Sequence, residues 1–191
     1  QVPSMATFDG YPREEAPAGV RNYVAVIPAS ITASPVAEAI ADRAAEPVRA
    51  TPHQMGTDPA DLAREQIERT LSGVARNPNV GAALVVALGT ETIDINRIAD
   101  AAAAAGRDTK SLVIREAGGT AAAVEAGVEA AATLRAGIAD ARREERDAGE
   151  LVFGVECGGS DATSGIAANP AVGAACDRLV RDGGTAAFSE T

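Results

Sequence analysis

The run Val80–Leu88, VGAALVVAL, carries no polar side chain. A strand with one wetted face alternates apolar and polar residues, whereas a strand that is apolar at every position must be covered on both faces. This segment predicts a central strand with a layer on each side. The rest of the chain has to supply those layers, and its pattern shows how.

Other short apolar runs alternate with longer helical patterns. Asn22–Pro28 is a strand ended by proline, and residues 47–52 are a second, weaker candidate. Ser111–Ile114, Leu151–Val155 and Thr185–Phe188 complete the set. Between them, Ser34 or Thr32 is placed to cap a helix running through Arg43, with Val36, Ile40 and Ala44 at helical spacing. Asp58-Pro59 reads as a cap and first turn for a helix whose face is Leu62, Ile67, Leu71 and Val74, stopped at Asn77-Pro78-Asn79. Ile93–Ala105 forms a third helix. Gly118-Gly119 opens a long fourth, lined by Val124, Val128, Ala131, Leu134 and Ile138. A loop and helix fill the stretch through about Val180. Strands alternating with helices mean crossover connections, hence a mostly parallel sheet. The expected fold is a three-layer α/β, Rossmann-like domain over residues 21–191, entered by an extended, proline-rich arm at 1–20.

Aromatic residues make up only 3% of the chain and tryptophan is absent, so the core must be aliphatic. The net charge of −10 argues against nucleic acid, which demands clustered cations. The mixed-sign run Arg142–Asp147 reads as a solvated helix face. Cys157 and Cys176 form neither a CxxC pair nor a disulfide framework, so a reduced, cytoplasmic setting is the expectation. No secretory leader and no unbroken apolar span for a membrane helix are visible.

In an open parallel sheet, ligands sit beyond the carboxyl ends of the strands. After Val155 comes Glu156-Cys157-Gly158-Gly159-Ser160-Asp161, a turn whose glycines let backbone N–H groups approach an anion at a helix start. The same residues also read as a plain strand-to-helix turn with a cap. After Leu88, Glu91 is a candidate metal ligand or base, or simply a first-turn carboxylate. After Ile114, Gly118-Gly119-Thr120 is another glycine turn at a helix start, beside Arg115 and Glu116. His53, the one histidine, follows a strand candidate and could act as base or metal ligand, or serve structure. Walker A, GxSxG, HExxH and GxGxxG patterns are absent.

Taken in order, these segments resemble the altronate and galactarate dehydratases. GVECGGSDATSGIAANPAVG at Gly154–Gly173 is similar to that family's most distinctive stretch. Gly19–Asn22, Asn77-Pro78-Asn79 with VVALGTE, Gly118-Gly119-Thr120, and Gly183-Gly184-Thr185 with Ser189-Glu190-Thr191 match further family stretches in sequence. The resemblance implies removal of water from a hexonate or hexarate to give a 2-keto-3-deoxy acid. The alternatives are release of sulfite from sulfolactate, or a non-catalytic ligand-binding or assembly subunit.

The resemblance also implies site roles. His53, Glu156 and Cys157 become catalytic candidates. Gly118, Gly119, Thr120, Gly158, Gly159, Ser160, Asp161 and Asn169 become substrate-binding candidates, and His53 and Glu91 metal-binding ones. A divalent metal, iron or manganese, is implied. Thr32, Thr57 and Thr90, however, stand where the family tends to have cysteine, so a site those sulfurs shared is expected to be absent or altered here. Expected partners are a small sugar acid, the family's small N-terminal domain or subunit, and a further copy of the chain. On this reading the chain is the central portion of a longer protein and is not a complete enzyme by itself.

Overall fold

A computed structural model describes residues 6–14, 16–156, 158–159 and 161–189. Strand β1 (Thr7–Gly10) is followed by β2 (Tyr23–Pro28), α1 (Ser34–Arg43), β3 (Val48–Ala50), α2 (Asp61–Ala75) and β4 (Val80–Ala87). Then come α3 (Ile95–Ala104), β5 (Asp108–Val113), α4 (Thr120–Gly137), β6 (Glu144–Asp147) and β7 (Val152–Glu156). A π-helical turn, Ser164–Ala168, leads into α5 (Asn169–Arg181), and β8 (Thr185–Ser189) is last.

Residues Arg13–Arg142 form one compact unit. Its sheet has the order β3-β2-β4-β5, and every pair is parallel. All eight residues of β4 are buried. Their side chains divide by the two-residue period of a strand. Ala82, Leu84 and Val86 join Val24, Val26, Ile40, Val124 and Leu134 in the core under α1 and α4. Ala83, Val85 and Ala87 join Ala25, Ile27, Ile67, Leu71 and Ile98 under α2 and α3. The result is the three-layer α/β arrangement expected from the apolar run. Helix α1 also lies close to α4: a Cβ on Gly127 would collide with the Ile40 side chain. Only glycine permits that approach.

Several local expectations differ from the structure. The cap of α1 is Ala33, without a side-chain hydrogen bond, because the Ser34 hydroxyl is tied to the His53 backbone instead. Helix α2 begins at Asp61 behind Ala60 rather than at Asp58-Pro59. Leu62 is 83% exposed. It lies five residues before Ile67, which at about 100° per residue turns it well off the buried stripe. Strand β5 starts three residues before Ser111, at Asp108; as an edge strand it tolerates the polar Asp108, Thr109 and Lys110.

The second compact unit joins Gln1–Pro12 to Arg143–Thr191, a division different from the 1–20 and 21–191 boundaries read from composition. Within the expected arm, Thr7–Gly10 is a strand, antiparallel to β6. The mixed-charge run read as a helix face therefore contains a strand, whose partner is too distant in sequence for local pattern to show. β7 and β8 form a parallel pair, and no residue of α5 is buried. No helix among the described residues is long and apolar enough to cross a membrane.

Candidate functional site

In the four-stranded sheet the chain proceeds from β2 outward to β3 on one side and to β4 and β5 on the other. The direction of winding reverses between β2 and β4. In doubly wound sheets the crevice beyond the strand ends at such a switch is where ligands bind. The loops at this edge are stitched together by backbone hydrogen bonds. Ile31 N–H donates to the Met55 carbonyl, and Thr92 N–H to that of Thr57. Ile114 and Arg115 N–H donate to Ala87 and Leu88. Thr32, Thr57 and Thr90 thus lie on three neighbouring loops at one edge.

Glu91 organises the switch. Its Oε1 accepts from the Ser30 hydroxyl at 2.8 Å and from Leu88 N–H at 2.6 Å. Its Oε2 accepts from Gly89 N–H at 2.8 Å and Thr90 N–H at 3.1 Å. Burial alone pushes this carboxyl up, but the Leu88, Ser30 and Gly89 hydrogen bonds outweigh it and hold the acid below its ordinary value. Ser30 is fully buried and also lies 2.8 Å from the Thr32 hydroxyl, which is exposed. Sequence spacing does not single out Ser30; it follows a proline-ended strand and looks like ordinary turn chemistry.

His53 lies at the end of β3. Its Nδ1 accepts from Met55 N–H at 3.2 Å, so the ring proton is on Nε2, 2.9 Å from the Pro28 carbonyl. Backbone on both sides fixes the tautomer and the ring plane. Beside it is a cavity of about 540 Å³, lined by Thr51, Pro52, His53 and Met55 and by side chains of α2 such as Ile67 and Leu71. Its walls are mostly apolar, which suits hydrocarbon better than a sugar acid.

At the end of β5, Gly118 and Gly119 have φ of +94° and +108°, a backbone conformation that side chains disfavour. Gly119 is the cap of α4, with no side-chain hydrogen bond. The first-turn N–H groups that begin at Thr120 are therefore left for solvent or an anion. The Arg115 side chain runs beside Gly89, 3.7 Å from where a Cβ would stand.

These residues do not fit a resident iron or manganese ion. Each Glu91 oxygen already accepts two hydrogen bonds, which uses the lone pairs a metal would need. Glu91 would have to give up some of these donors to bind a metal. His53 keeps one lone pair, already engaged, and threonine hydroxyls are poor substitutes for thiolate. Among the described residues no group of three His, Cys, Asp or Glu side chains is placed to hold a metal ion.

The other candidates belong to the second unit. Glu156 ends β7 and is exposed. Cys157 and Ser160 lie outside the described residues. Gly158 and Gly159 are exposed, and a Cβ on either would meet nothing within 4 Å. Asp161 accepts from Thr163 N–H at 2.7 Å, from the Thr163 hydroxyl at 2.6 Å and from Ser164 N–H at 3.0 Å. The Thr163 hydroxyl, then the Thr163 and Ser164 N–H groups, hold its carboxyl below the ordinary value. Asp161 thus secures the turn before the π-helical segment. Asn169 is the exposed first residue of α5.

Comparison with known proteins likewise divides the chain between residues 139 and 148. Residues 10–139 match the family described as D-galactarate dehydratase/Altronate hydrolase, second domain, and residues 148–191 match D-galactarate/Altronate dehydratase, C-terminal. The (2R)-sulfolactate sulfo-lyase subunit beta of Chromohalobacter salexigens is 34% identical over 97% of this chain and 46% of its own length. The altronate dehydratase of Bacillus subtilis is 31% identical over 96% of this chain and 38% of its own. The galactarate dehydratase (L-threo-forming) of Escherichia coli is 39% identical over 64% of this chain and 25% of its own. The chain spans less than half the length of these relatives. With residues 10–139 matching that second-domain family, the chain belongs to the galactarate/altronate dehydratase family.

Proposed function

We propose that this chain supplies the substrate crevice of a lyase that removes water from a hexonate or hexarate, leaving a 2-keto-3-deoxy acid. The observation that carries this reading is the convergence of the loops after β2, β3, β4 and β5 at the switch of the sheet, in a chain whose relatives are named as dehydratases.

Dehydration takes a proton from the carbon beside the carboxylate and expels hydroxide from the next carbon. The enol so formed becomes the 2-keto acid. The α4 N-terminus at Gly119-Thr120, with Arg115 nearby, offers positive potential for the carboxylate and for the charge that grows on it as the proton leaves. His53 is the base in this reading. The Pro28 carbonyl holds its proton on Nε2, and Nδ1 faces only an exposed backbone N–H. Exchanging that contact for substrate costs roughly 1 kcal/mol. Glu91 shapes the loops and does not touch the reacting atoms. The turn at Glu156–Asp161 and Asn169 is a second proposed place for substrate carboxylate and hydroxyls.

The sulfo-lyase relative supports a second reading, because expelling sulfite instead of hydroxide begins with the same proton abstraction. The test is 2-keto acid formation from altronate, galactarate and sulfolactate by the complete lyase that contains this chain, with sulfite measured in parallel. Hexonate or hexarate turnover is the expected result. Sulfite release alone would replace it with the second reading, and no turnover of any of the three would remove both. His53→Ala should lower kcat by about 10²–10⁴ if His53 is the base; full turnover by that variant would end the assignment.

A further inference from the structure

We propose that Thr32 is a hydroxyl acceptor that selects the hydroxyl end of a hexonate over the second carboxylate of a hexarate. It is aimed by a one-way hydrogen-bond chain that runs from Thr32 through Ser30 to Glu91. The inference rests on the sugar-acid reading above and narrows its substrate class.

Direction follows from counting protons. An ionised carboxylate only accepts, so the single hydroxyl proton of Ser30 goes to Glu91 Oε1, 2.8 Å away. Ser30 then has no proton left for Thr32, although their oxygens are 2.8 Å apart. Thr32 must donate to Ser30, and its own oxygen turns only lone pairs outward. Reversal is blocked, because Leu88, Gly89 and Thr90 N–H groups pin the carboxylate while full burial confines Ser30.

Thr32 is exposed on the loop after β2, at the switch in the sheet. A hydroxyl approaching it can donate. A carboxylate brings a third set of lone pairs to a corner already backed by the Glu91 charge, and is repelled. On this proposal the corner takes the end of the substrate opposite the bound carboxylate, where a hexonate carries a hydroxyl and a hexarate a second carboxylate.

The test is titration calorimetry of the full chain with altronate and with galactarate, which needs no turnover. Altronate should bind about tenfold more tightly, the factor one well-placed hydrogen bond commands. Thr32→Val should erase that preference by weakening altronate, and Thr32→Ser should keep it. In Glu91→Gln the amide can donate to Ser30, which frees the chain to reverse, so galactarate should gain relative to altronate. A Thr32→Val protein with the unchanged altronate-to-galactarate ratio would overturn the inference and leave the sugar-acid reading standing. Binding of neither acid by the folded protein would overturn both.

Discussion

Two apolar strands of this chain meet opposite fates. In β4 every residue is buried, with Leu84 fully so. In β7, whose sequence VFGVE is comparably apolar at its start, Val152 is 63% and Phe153 43% exposed. β4 has a strand on each side and a pair of helices on each face, whereas among the described residues β7 pairs with β8 alone. Local hydrophobicity thus states what a strand needs, and the number of neighbours states whether the need is met. The same contrast separates the two glycine turns. The one at Gly118-Gly119 opens a helix packed on the four-stranded sheet, and at Gly158-Gly159 a Cβ would meet nothing within 4 Å among the described residues.

The sharpest way to break this comparison is a matched pair of truncations. Leu84→Ala should cost about 2–5 kcal/mol in urea unfolding, through lost burial plus a cavity that β4 cannot close. Val152→Ala should fall within about 0.5 kcal/mol of the parent. Equal losses would mean that β7 is as enclosed as β4. A smaller effect is expected at the α1–α4 crossing. Gly127→Val pushes a branched side chain into Ile40 and should cost about 1–3 kcal/mol, whereas Gly158→Val meets nothing and should cost little.

The mildest test is pH. The Glu91 carboxyl is held below its ordinary value in the folded chain. Its contribution is therefore present above the unfolded carboxyl range, about pH 4.3, and fades as pH falls through the lower folded value. The stability gap between the parent and Glu91→Gln should be open at pH 7 and close below pH 4. A gap that persists in acid would mean that the carboxylate charge is not what holds the 88–91 loop.

Much of this was legible in the chain itself. The apolar run at Val80–Leu88 required covered faces, and the alternation of strands and helices required parallel crossovers. The glycine pair at Gly118-Gly119 marked a helix start because few other residues take up that backbone. His53, Glu91 and the glycine turns stood out because strand ends are where a parallel sheet presents chemistry. β1 and β6 did not stand out: Thr7–Gly10 and Glu144–Asp147 become strands by pairing with each other across more than a hundred residues, and neither is apolar enough to announce it.

Periodicity and residue type are local properties, so they fix which segments are helix or strand and which faces seek cover. Hydrogen-bond partners at the switch are not local. Ser30 meets Glu91 across 61 positions, and His53 meets Pro28 across 25. A carboxylate that reads as a metal ligand becomes a filled acceptor only when four donors from two loops close around it. A serine with no visible motif acquires a direction only once its proton has somewhere to go. Those roles belong to the assembled sheet edge, because a lone pair or a proton is committed by the neighbour that folding brings, and the linear chain does not contain that neighbour.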